Sequence, residues 1–368
     1  MQIRVDRLRE VLRLVQPAIP RKSTVPVLQN VLHRDGEAIA NDLDTMIILD
    51  LPEAEGECLI PHHSALELLK YVPGNELLSI EQSKRKIEFS WNGGTAKYDA
   101  VDPKDYPPLP EVKERARGVV DGDRLVKALM SVVDYCSTDA ARPILSGVSL
   151  NLGETIELAA GDGFRMAYQI LPIAFPAEDQ VIIPAHSVQV LGDLWNKIPP
   201  AVPLADSLIN QVIAERQIEL AMGNGLMARF GRVTLFSTLI QGEAPLFSKL
   251  IPQEPPLKVR VFAPEFERAV RRCLEVASDS KGIIRLSWTE TALTVSAKSD
   301  EGGSVEAKFP VQTEGGTGKV AVNVSYLLDY LKGKEGLLSI GVTSTQGPVL
   351  FRHGASPLVV MMPMSVQW

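Results

Sequence analysis

Three short segments recur in the same order along the chain. Each consists of a helix-like stretch, a turn with an acidic residue, and an Ile-Pro dipeptide that leads into a second helix-like stretch. The matched ranges are 6–12 with 123–129, 40–44 with 160–164, and 60–66 with 183–189. Near-equal offsets of 117, 120 and 123 residues (6 to 123, 42 to 162, 60 to 183) indicate an internal duplication.

A third, more diverged copy follows. Its segments are 264–270, 299–302 and 322–328, each close to 139 residues after its counterpart in the second copy. We therefore predict three homologous domains at 1–117, 118–252 and 253–368. The proline-rich stretches 102–111 and 241–256 are the predicted linkers, since extended proline segments are typical of domain boundaries.

The same order of elements is predicted for every copy. The first helix has an apolar face at helical spacing, whose residues are Leu8, Val11, Leu12 and Val15, then Leu125, Leu129 and Val132, then Phe266, Val270 and Leu274. Short alternating strands such as 155–159 follow, and a serine (Ser64, Ser187 or Ser325) is predicted as the N-cap or first-turn residue of a second helix. Helices packed on antiparallel sheet make the predicted fold class α+β.

Composition limits the functional classes. The chain has 38 Lys+Arg and 45 Asp+Glu, a net charge of −7, whereas a protein that simply coats nucleic acid is usually basic. Any polyanion must therefore meet a local basic face. The N-terminal residues predict no secretory signal, and the three separated cysteines (Cys58, Cys136, Cys273) favour neither a disulfide framework nor a thiolate zinc site. A cytoplasmic protein is expected.

Residues suited to catalysis are few. The five histidines lack metal-ligand spacing, and we interpret His63 and His186 as structural residues beside helix starts. Asp42 and Asp44 form the best candidate Mg²⁺ site for an enzyme acting on nucleotides. The second copy keeps Asp162 but loses the second acid, so a turn aspartate that caps its own backbone is the favoured interpretation for all three copies. We predict no enzymatic activity, no metal and no cofactor.

Basic residues cluster on predicted helices and in nearby loops, but acids on the same helices leave a solvated surface as an open alternative. The segment 357–368 is apolar and interrupted by proline. We predict a final strand over 358–361, followed by a methionine-containing stretch suited to an adaptable peptide-binding surface.

Four motifs together resemble a known family. They are Thr24-Val25-Pro26-Val27-Leu28, Arg142-Pro143-Ile144-Leu145-Ser146-Gly147, Asp162-Gly163-Phe164-Arg165-Met166, and Val360-Met361-Met362-Pro363-Met364. With the three repeats, they resemble the bacterial sliding clamp, the β subunit of DNA polymerase III, over the whole chain.

That resemblance implies three tandem clamp domains per subunit and a head-to-tail homodimer. Antiparallel sheets would lie outside, and two helices per domain would line a hole for duplex DNA. The partners would be double-stranded DNA bound without sequence preference, the polymerase III α subunit, an ATP-driven clamp loader, and other polymerases and repair proteins. The ring would confer processivity by enclosing DNA. The alternative is a divergent clamp paralogue that binds partners without encircling DNA.

The resemblance also implies a groove for short partner peptides. Carried over residue by residue, it comprises Leu145, Gly161, Gly163, Phe164, Arg165, Met166, Pro245, Lys249, Leu250, Val360, Met362, Pro363 and Met364. Phe164 replaces the family's usual His, Lys249 stands where Arg is common, and Ser365 stands where Arg often follows the last methionine. Gln367 and Trp368 extend the usual end. These departures are expected to alter ligand preference.

DNA contacts and the dimer interface are also expected from the resemblance. The expected DNA-binding residues are Arg7, Arg13, Arg21, Lys22, Arg124, Lys127, Arg142, Lys197, Arg268 and Arg272. Pro143 and Ile144 replace aromatic residues that touch DNA in other members. The expected dimer contacts are Tyr106 and Leu109 against Leu274 and Val276.

Overall fold

The predicted order of elements recurs three times. The computed structural model describes residues 1–110, 112–197, 216–354 and 356–368. The first copy comprises β1 (Gln2–Arg4), α1 (Val5–Val15), β2 (Asn30–Arg34), β3 (Glu37–Asn41), β4 (Thr45–Asp50), β5 (Cys58–Pro61), α2 (His62–Leu69), β6 (Leu77–Gln82), β7 (Lys86–Trp91) and β8 (Gly94–Asp99).

The second copy repeats this order. Its elements are β9 (Ala116–Asp121), α3 (Gly122–Val132), β10 (Gly147–Leu152), β11 (Ile156–Gly161), β12 (Arg165–Leu171), β13 (Asp179–Pro184), α4 (Ala185–Lys197), β14 (Gln217–Met222), β15 (Gly225–Phe230) and β16 (Val233–Thr238).

The third copy adds one short strand, β21. It comprises β17 (Leu257–Phe262), α5 (Ala263–Ser278), β18 (Ile283–Trp288), β19 (Ala292–Lys298), β20 (Ser304–Pro310), β21 (Gln312–Glu314), β22 (Gly318–Asn323), α6 (Val324–Leu331), β23 (Leu337–Val342), β24 (Val349–Arg352) and β25 (Leu358–Met361). The last strand has the predicted bounds. The domain boundaries stay predictions, and the first of them falls inside β9.

Two units are distinguished by their internal packing. Unit 1 contains Met1–Lys127, Asn151–Ile156 and Pro172–Ile240, and unit 2 contains Ala128–Leu150, Glu157–Leu171 and Gln241–Trp368. In unit 1 a four-stranded sheet has the order β1-β6-β7-β8, and an eight-stranded sheet has the order β5-β2-β3-β4-β16-β15-β14-β9. In unit 2 a four-stranded sheet has the order β20-β19-β18-β22, and a larger sheet runs β10-β11-β12-β25-β24-β23-β17-β21.

The first helix of each copy buries its apolar face. Leu8, Val11, Leu12 and Val15 on α1 are buried, as are Leu125, Leu129 and Val132 on α3. On α5 the buried face turns slightly: Leu274 is half-buried, and the neighbouring Cys273 and Ala277 are buried instead. α5 packs against β18, β19, β20 and α6, and α1 packs against α2. Among the described residues, no helix has the length and apolarity needed to span a bilayer.

The serines of the second helices lie in the first turn, but the N-cap interpretation is wrong. The side chain of Asn323 caps α6 by accepting from the amides of Ser325 (2.9 Å) and Tyr326 (3.2 Å). Ser187 is buried in α4, where its hydroxyl hydrogen-bonds the hydroxyls of Thr45 and Ser237, both at 2.8 Å. The serine therefore satisfies distant strands rather than its own helix terminus.

Candidate peptide groove and basic surface

The turn between β11 and β12 is organised by one carboxylate. Asp162 Oδ1 accepts hydrogen bonds from the amides of Phe164 (2.8 Å) and Arg165 (2.9 Å). Gly163 between them has φ +93°, and a Cβ there would lie 2.5 Å from Arg142 Nη1. With its amide held in the turn, Phe164 is 56% exposed. The turn thus presents an aromatic side chain to solvent, which a structural role does not require.

The equivalent turns confirm the backbone-capping interpretation of Asp42. Its Oδ1 accepts from the amides of Asp44 (3.0 Å) and Thr45 (2.7 Å). In the third copy, however, the acceptor is the hydroxyl of Ser299, which bonds the Gly303 amide at 2.9 Å. A turn aspartate was therefore the wrong expectation for that copy, because a serine hydroxyl performs the same task.

Arg142 stabilises the same turn. Its Nη1 donates to the carbonyl of Asp162 (3.0 Å), and its Nε donates to Asp139 Oδ2 (2.9 Å). Arg142 therefore has a structural role in the turn, and its expected role in binding DNA stays a prediction.

Arg165 is a cross-link inside unit 2. Its guanidinium lies 4.4 Å from the ring of Tyr326 and 5.0 Å from that of Tyr135. It pairs with Asp162 (3.2 Å) and Asp329 (2.9 Å), and its side chain is only 11% exposed. Arg165 thus ties β12 to α6. Its expected place in the peptide groove stays a prediction.

A small apolar cluster forms the floor beside the turn. Met166, Phe247 and Val360 are buried together with Ala159 and Leu350, and Leu145 packs against them. The register of β12 and β25 pairs Met166 with Val360, and the amide of Met362 then donates to the carbonyl of Phe164 (2.7 Å). The end of β25 is thereby held against the turn.

Large apolar side chains stand exposed around this floor. Phe164 and Leu250 are each 56% exposed and Met362 is 50% exposed. Soluble proteins seldom leave such side chains clustered in water unless the surface binds something. Of the other expected groove residues, Pro245, Pro363 and Met364 are half-buried and Lys249 is exposed at the rim. We call this surface, from Phe164 across Leu250 to Met364, the peptide groove.

Two groove residues were absent from the prediction. Leu246 is 58% exposed, and Phe247 lies under the short turn Phe247–Leu250 as part of the floor. Their segment was interpreted as a proline-rich linker. The adjacent Leu-Phe pair could have indicated a packed or binding segment, because a solvated linker does not need two large apolar residues.

A second surface lies in unit 1 and is basic. A cavity of about 1140 Å³ is lined by four cationic side chains, Arg13, Arg21, Lys70 and Lys197, together with His62, His63 and His186 and the acids Asp42 and Glu67. Three of the expected DNA-binding residues, Arg13, Arg21 and Lys197, are thus brought together. We call this region the basic cavity.

His186 carries a specific electrostatic contact there. Its Nε2 lies 3.5 Å from Asp42 Oδ2, and this hydrogen bond raises the pKa of His186 despite partial burial. Burial alone would raise the pKa of Asp42, but the bonds from His186 and from the turn amides lower it overall. His62 is buried with its Nε2 at 2.9 Å from the carbonyl of Leu12, and burial lowers its pKa.

Arg7 is not part of the basic cavity. Its guanidinium pairs with Glu10 (2.8 Å) and Glu53 (2.7 Å) in a separate depression of unit 1. Arg7 and Arg13 are six residues apart on α1, so they project from different faces of the helix. Arg7 and Arg13 therefore belong to different surfaces, and the DNA-binding role of each stays a prediction.

The remaining expected DNA-binding residues are exposed. Lys22 follows Arg21 in its loop, Arg124 and Lys127 lie on α3, and Arg268 and Arg272 lie one turn apart on α5. Arg124 lies 4.0 Å from the carboxylate of Asp121. Within the described ranges, no three His, Cys, Asp or Glu side chains form a group that would hold a metal ion.

The expected dimer contacts divide into two kinds. Tyr106 is 7% exposed and packs in the core of unit 1 with Val27, Leu28 and Met46. Leu109 packs against the edge of the same core. Leu274 and Val276 are half-buried on α5.

Comparison with known proteins decides the family. The sequence model for the DNA polymerase III β subunit central domain matches residues 120–246, and that for its C-terminal domain matches residues 248–365. The chain belongs to the DNA polymerase III β subunit family. The three-copy α+β architecture is therefore the β-clamp fold, as expected from the motifs.

Relatives match over nearly the whole length. The β sliding clamp of Bacillus subtilis is 28% identical and is covered to 98%, with 99% of this chain aligned. That of Pseudomonas aeruginosa is 24% identical over 89% of each chain. Among solved structures, the DNA polymerase III β subunit of P. aeruginosa has a TM-score of 0.88 at 22% identity, with both chains fully covered. The same organism's clamp bound to griselimycin has a TM-score of 0.87, also at 22% identity, with 100% of this chain and 99% of that chain covered.

The geometry of the Asp162 turn predicts a steric effect at Gly163. Gly163→Ala should lower the free energy of unfolding by about 1–3 kcal/mol, because L side chains are strained at positive φ and the new Cβ meets Arg142. Gly302→Ala is the matched control, since Gly302 has φ +92° with no atom within 4 Å of a Cβ. Urea unfolding should show a larger loss for Gly163→Ala. Equal losses would mean that the Arg142 side chain moves away from the new Cβ with no further loss of stability.

The His186–Asp42 contact predicts a pH-dependent stability. Because the pKa of His186 is raised in the folded chain, the contact stabilises the fold fully below pH 6.5, the ordinary pKa of histidine. This contribution is lost as the pH rises through the raised pKa of the folded state. The pKa of Asp42 is lowered in the folded chain, so its carboxylate contributes stability above pH 3.8, the ordinary pKa of aspartate. That stability is lost as the pH falls through the lowered pKa of the folded state. His186→Asn should therefore lower the free energy of unfolding most between these two pH values. The loss should be less than about 1 kcal/mol, because the pair is partly exposed.

Urea unfolding at pH 5.5 and pH 8.5 measures this difference. His63→Asn removes the same ring from the preceding repeat's equivalent position and serves as the control. A loss in His186→Asn that is the same at both pH values would contradict the ion-pair origin.

Proposed function

We propose that two copies of this chain close into a ring that encircles duplex DNA, and that the peptide groove tethers the replicative polymerase and other partners to it. The chain would act as a processivity factor of the cytoplasmic replication machinery. Its contribution is topological and requires no bond to be made or broken, so we propose a non-catalytic role.

One observation carries the proposal: the two junctions between repeats use equivalent strands in the same register. β4 pairs with β16, with Thr45 opposite Ser237 and Ile47 opposite Leu235. β12 pairs with β25, with Arg165 opposite Met361 and Ala167 opposite Val359. In each junction the fourth strand of one repeat pairs with the final strand of the next.

Two strands that this rule would pair lie instead at the ends of their sheets. β20 is the third-repeat equivalent of β4 and β12, and β8 is the first-repeat equivalent of β16. β20 and β8 each end their four-stranded sheet. A strand at a sheet edge presents unpaired backbone N–H and C=O groups, which can form hydrogen bonds with a strand of another chain. We infer that β20 of one subunit pairs with β8 of the other, which joins subunits head to tail.

The register of the proposed β20–β8 pair follows from the positions that are equivalent in the two existing junctions. Gly303 takes the place of Thr45 and Arg165 after the turn, so Val305 takes the place of Ile47 and Ala167. On the other side, the hairpins β7–β8 and β15–β16 make Ala96 the equivalent of Leu235. The pair Ala96–Val305 would thus match Leu235–Ile47 and Val359–Ala167.

Burial supports this pairing. Ile47, Leu235, Ala167 and Val359 are all buried at their junctions. Ala96 and Val305 are half-buried in the single chain. Pairing would bury them, which gives the subunit contact an apolar centre. Leu274 and Val276 belong to α5, which packs on β20, so both stay in the proposed interface and Tyr106 does not.

The basic cavity suits a duplex held without sequence preference. Arg and Lys side chains neutralise phosphates, and such contacts position DNA without reading bases. The net charge of −7 shows that this positive character is local. A ring that slides needs contacts of this kind, because base-specific bonds would hold it at one site.

The peptide groove suits short extended hydrophobic motifs, in which a few anchors supply most of the binding energy. We propose the polymerase III α subunit, the clamp loader and repair polymerases as sources of such motifs. The family relationship supports this, as does the P. aeruginosa clamp bound to griselimycin. Phe164 adds an apolar surface at the turn, which favours ligands with a large side chain there.

Subunit pairing is tested by engineered cross-links. The double variant Ala96→Cys/Val305→Cys should form covalent dimers on oxidation, because directly opposite residues on antiparallel strands have side chains close enough for a disulfide. Each single variant and the wild-type chain control for Cys58, Cys136 and Cys273.

The same variant tests encirclement. Rings loaded onto nicked circular plasmid by the cognate clamp loader and then oxidised should stay through high salt and leave when the plasmid is linearised. Rings oxidised before loading should not bind. Release from intact circles by salt alone would contradict a topological link, and failure of the double variant to cross-link on oxidation would contradict the register.

Groove binding is tested by Leu250→Asp. A labelled peptide of the Gln-Leu-x-Leu-Phe type should bind the wild-type chain and lose about 10–100-fold in affinity for the variant, because an apolar anchor contributes about 1.5–3 kcal/mol. Fluorescence anisotropy measures the affinity. Leu77→Asp is the matched control, since Leu77 is 55% exposed in unit 1 and is not one of the groove residues. Equal losses in both variants would contradict the assignment.

A further inference from the structure

The segment after β25 leaves the peptide groove and reaches a different sheet. The amide of Met362 donates to the carbonyl of Phe164 (2.7 Å) at the groove, and two residues later the amide of Met364 donates to the carbonyl of Ala321 on β22 (2.8 Å). The groove wall formed by Met362, Pro363 and Met364 is therefore attached at both ends. One attachment is the Asp162 turn and the other is β22.

β22 is suited to receive this segment. It is the last strand in the order β20-β19-β18-β22, so one of its backbone edges faces away from the sheet. An additional extended segment can bind such an edge through main-chain hydrogen bonds. The tail from Met364 onward runs along this edge towards the beginning of the strand, because its later residue Trp368 meets Lys319.

A side-chain contact fastens the far end of the tail. The Nζ of Lys319 lies 4.8 Å from the centre of the Trp368 ring, a cation–π distance. Lys319 precedes Ala321 by two residues on β22, so both belong to the same side of the strand's alternation. Ser365 and Gln367 between the two anchor points are exposed.

We propose that Lys319 and Trp368 are positioning residues of the peptide groove. They hold the tail on β22 and thereby keep Met362, Pro363 and Met364 in the conformation that a peptide meets. This inference rests on the proposed peptide-binding function. Neither residue needs to touch the ligand, and Trp368 acts through the backbone of the tail.

The physical reason is the entropy of a short extended segment. Each residue fixed in one conformation loses backbone freedom. A tail attached to β22 only through its backbone would be ordered part of the time, and a ligand would bind the ordered fraction. Loss of the fastening contact therefore reduces apparent affinity by the fraction of tails that remain in place.

Three variants isolate the contact. Trp368→Ala removes the ring, Lys319→Met removes the charge while keeping an extended side chain, and Trp368→Phe retains an aromatic face. Trp368→Ala and Lys319→Met should each weaken binding of the Gln-Leu-x-Leu-Phe peptide by about two- to five-fold, which is the fold-change of an exposed cation–π contact. Trp368→Phe should restore most of the affinity. The double variant Trp368→Ala/Lys319→Met should be no weaker than either single variant.

Hydrogen exchange gives a readout that needs no peptide. The Met364 amide is bonded to Ala321, so its exchange should accelerate in Trp368→Ala and Lys319→Met, while the melting temperature of the chain stays unchanged. The variant Tyr71→Ala is the control, since Tyr71 is an exposed aromatic residue (85%) on unit 1.

The outcomes separate the two proposals. If the wild-type chain binds the peptide and Trp368→Ala binds equally well, the positioning role is wrong while the groove stands. Tighter binding by Trp368→Ala also overturns it, because the tail would then be covering the groove. If the wild-type chain fails to bind, the proposed function fails, and unchanged exchange of the Met364 amide in Trp368→Ala would independently overturn the fastening contact.

Discussion

Pairing between the strands of successive repeats is the constraint on which the rest of this structure depends. A strand at a sheet edge presents unpaired N–H and C=O groups. Here the edge of one repeat is closed by the last strand of the next, through β4 with β16 and β12 with β25. A slip of one residue would exchange the buried and exposed faces of every paired strand. Buried pairs such as Ile47–Leu235 and Ala167–Val359 therefore fix the register at both junctions.

The peptide groove is a consequence of the second junction. At both junctions, the residue after the last paired residue donates its amide to a turn carbonyl: Thr238 to Asp44 (2.8 Å) and Met362 to Phe164 (2.7 Å). The backbone arrangement is thus the same twice. The side chains differ, because the first junction places an acid and a threonine where the second places an aromatic ring and a methionine. The peptide groove therefore depends on which side chains occupy a backbone arrangement that occurs at both junctions.

Local patterns were enough to predict much of the fold. Helical spacing identified the buried faces of α1 and α3, and the recurring acidic turn marked the β3–β4 and β11–β12 hairpins, because both features are set by near neighbours in sequence. Contacts between residues distant in sequence could not be predicted in this way. Ser187 satisfies Thr45 and Ser237 instead of capping α4, Arg142 serves the Asp162 turn, and Tyr106 fills the core of unit 1. No spacing rule shows these contacts before the strands are paired.

Charge was the least predictable property, because a formal charge does not tell whether a cation is available to a phosphate. α1 shows the distinction within one helix. Arg7 is paired with two glutamates, and Arg9 donates to the carbonyl of Val72 (3.1 Å) beyond α2. Arg13 lines the basic cavity with Arg21 and Lys197. The cations that line the basic cavity are therefore only a subset of the basic residues. A chain with a net negative charge can hold a polyanion where several cations gather on one surface, because the local field and not the net charge acts on a close ligand.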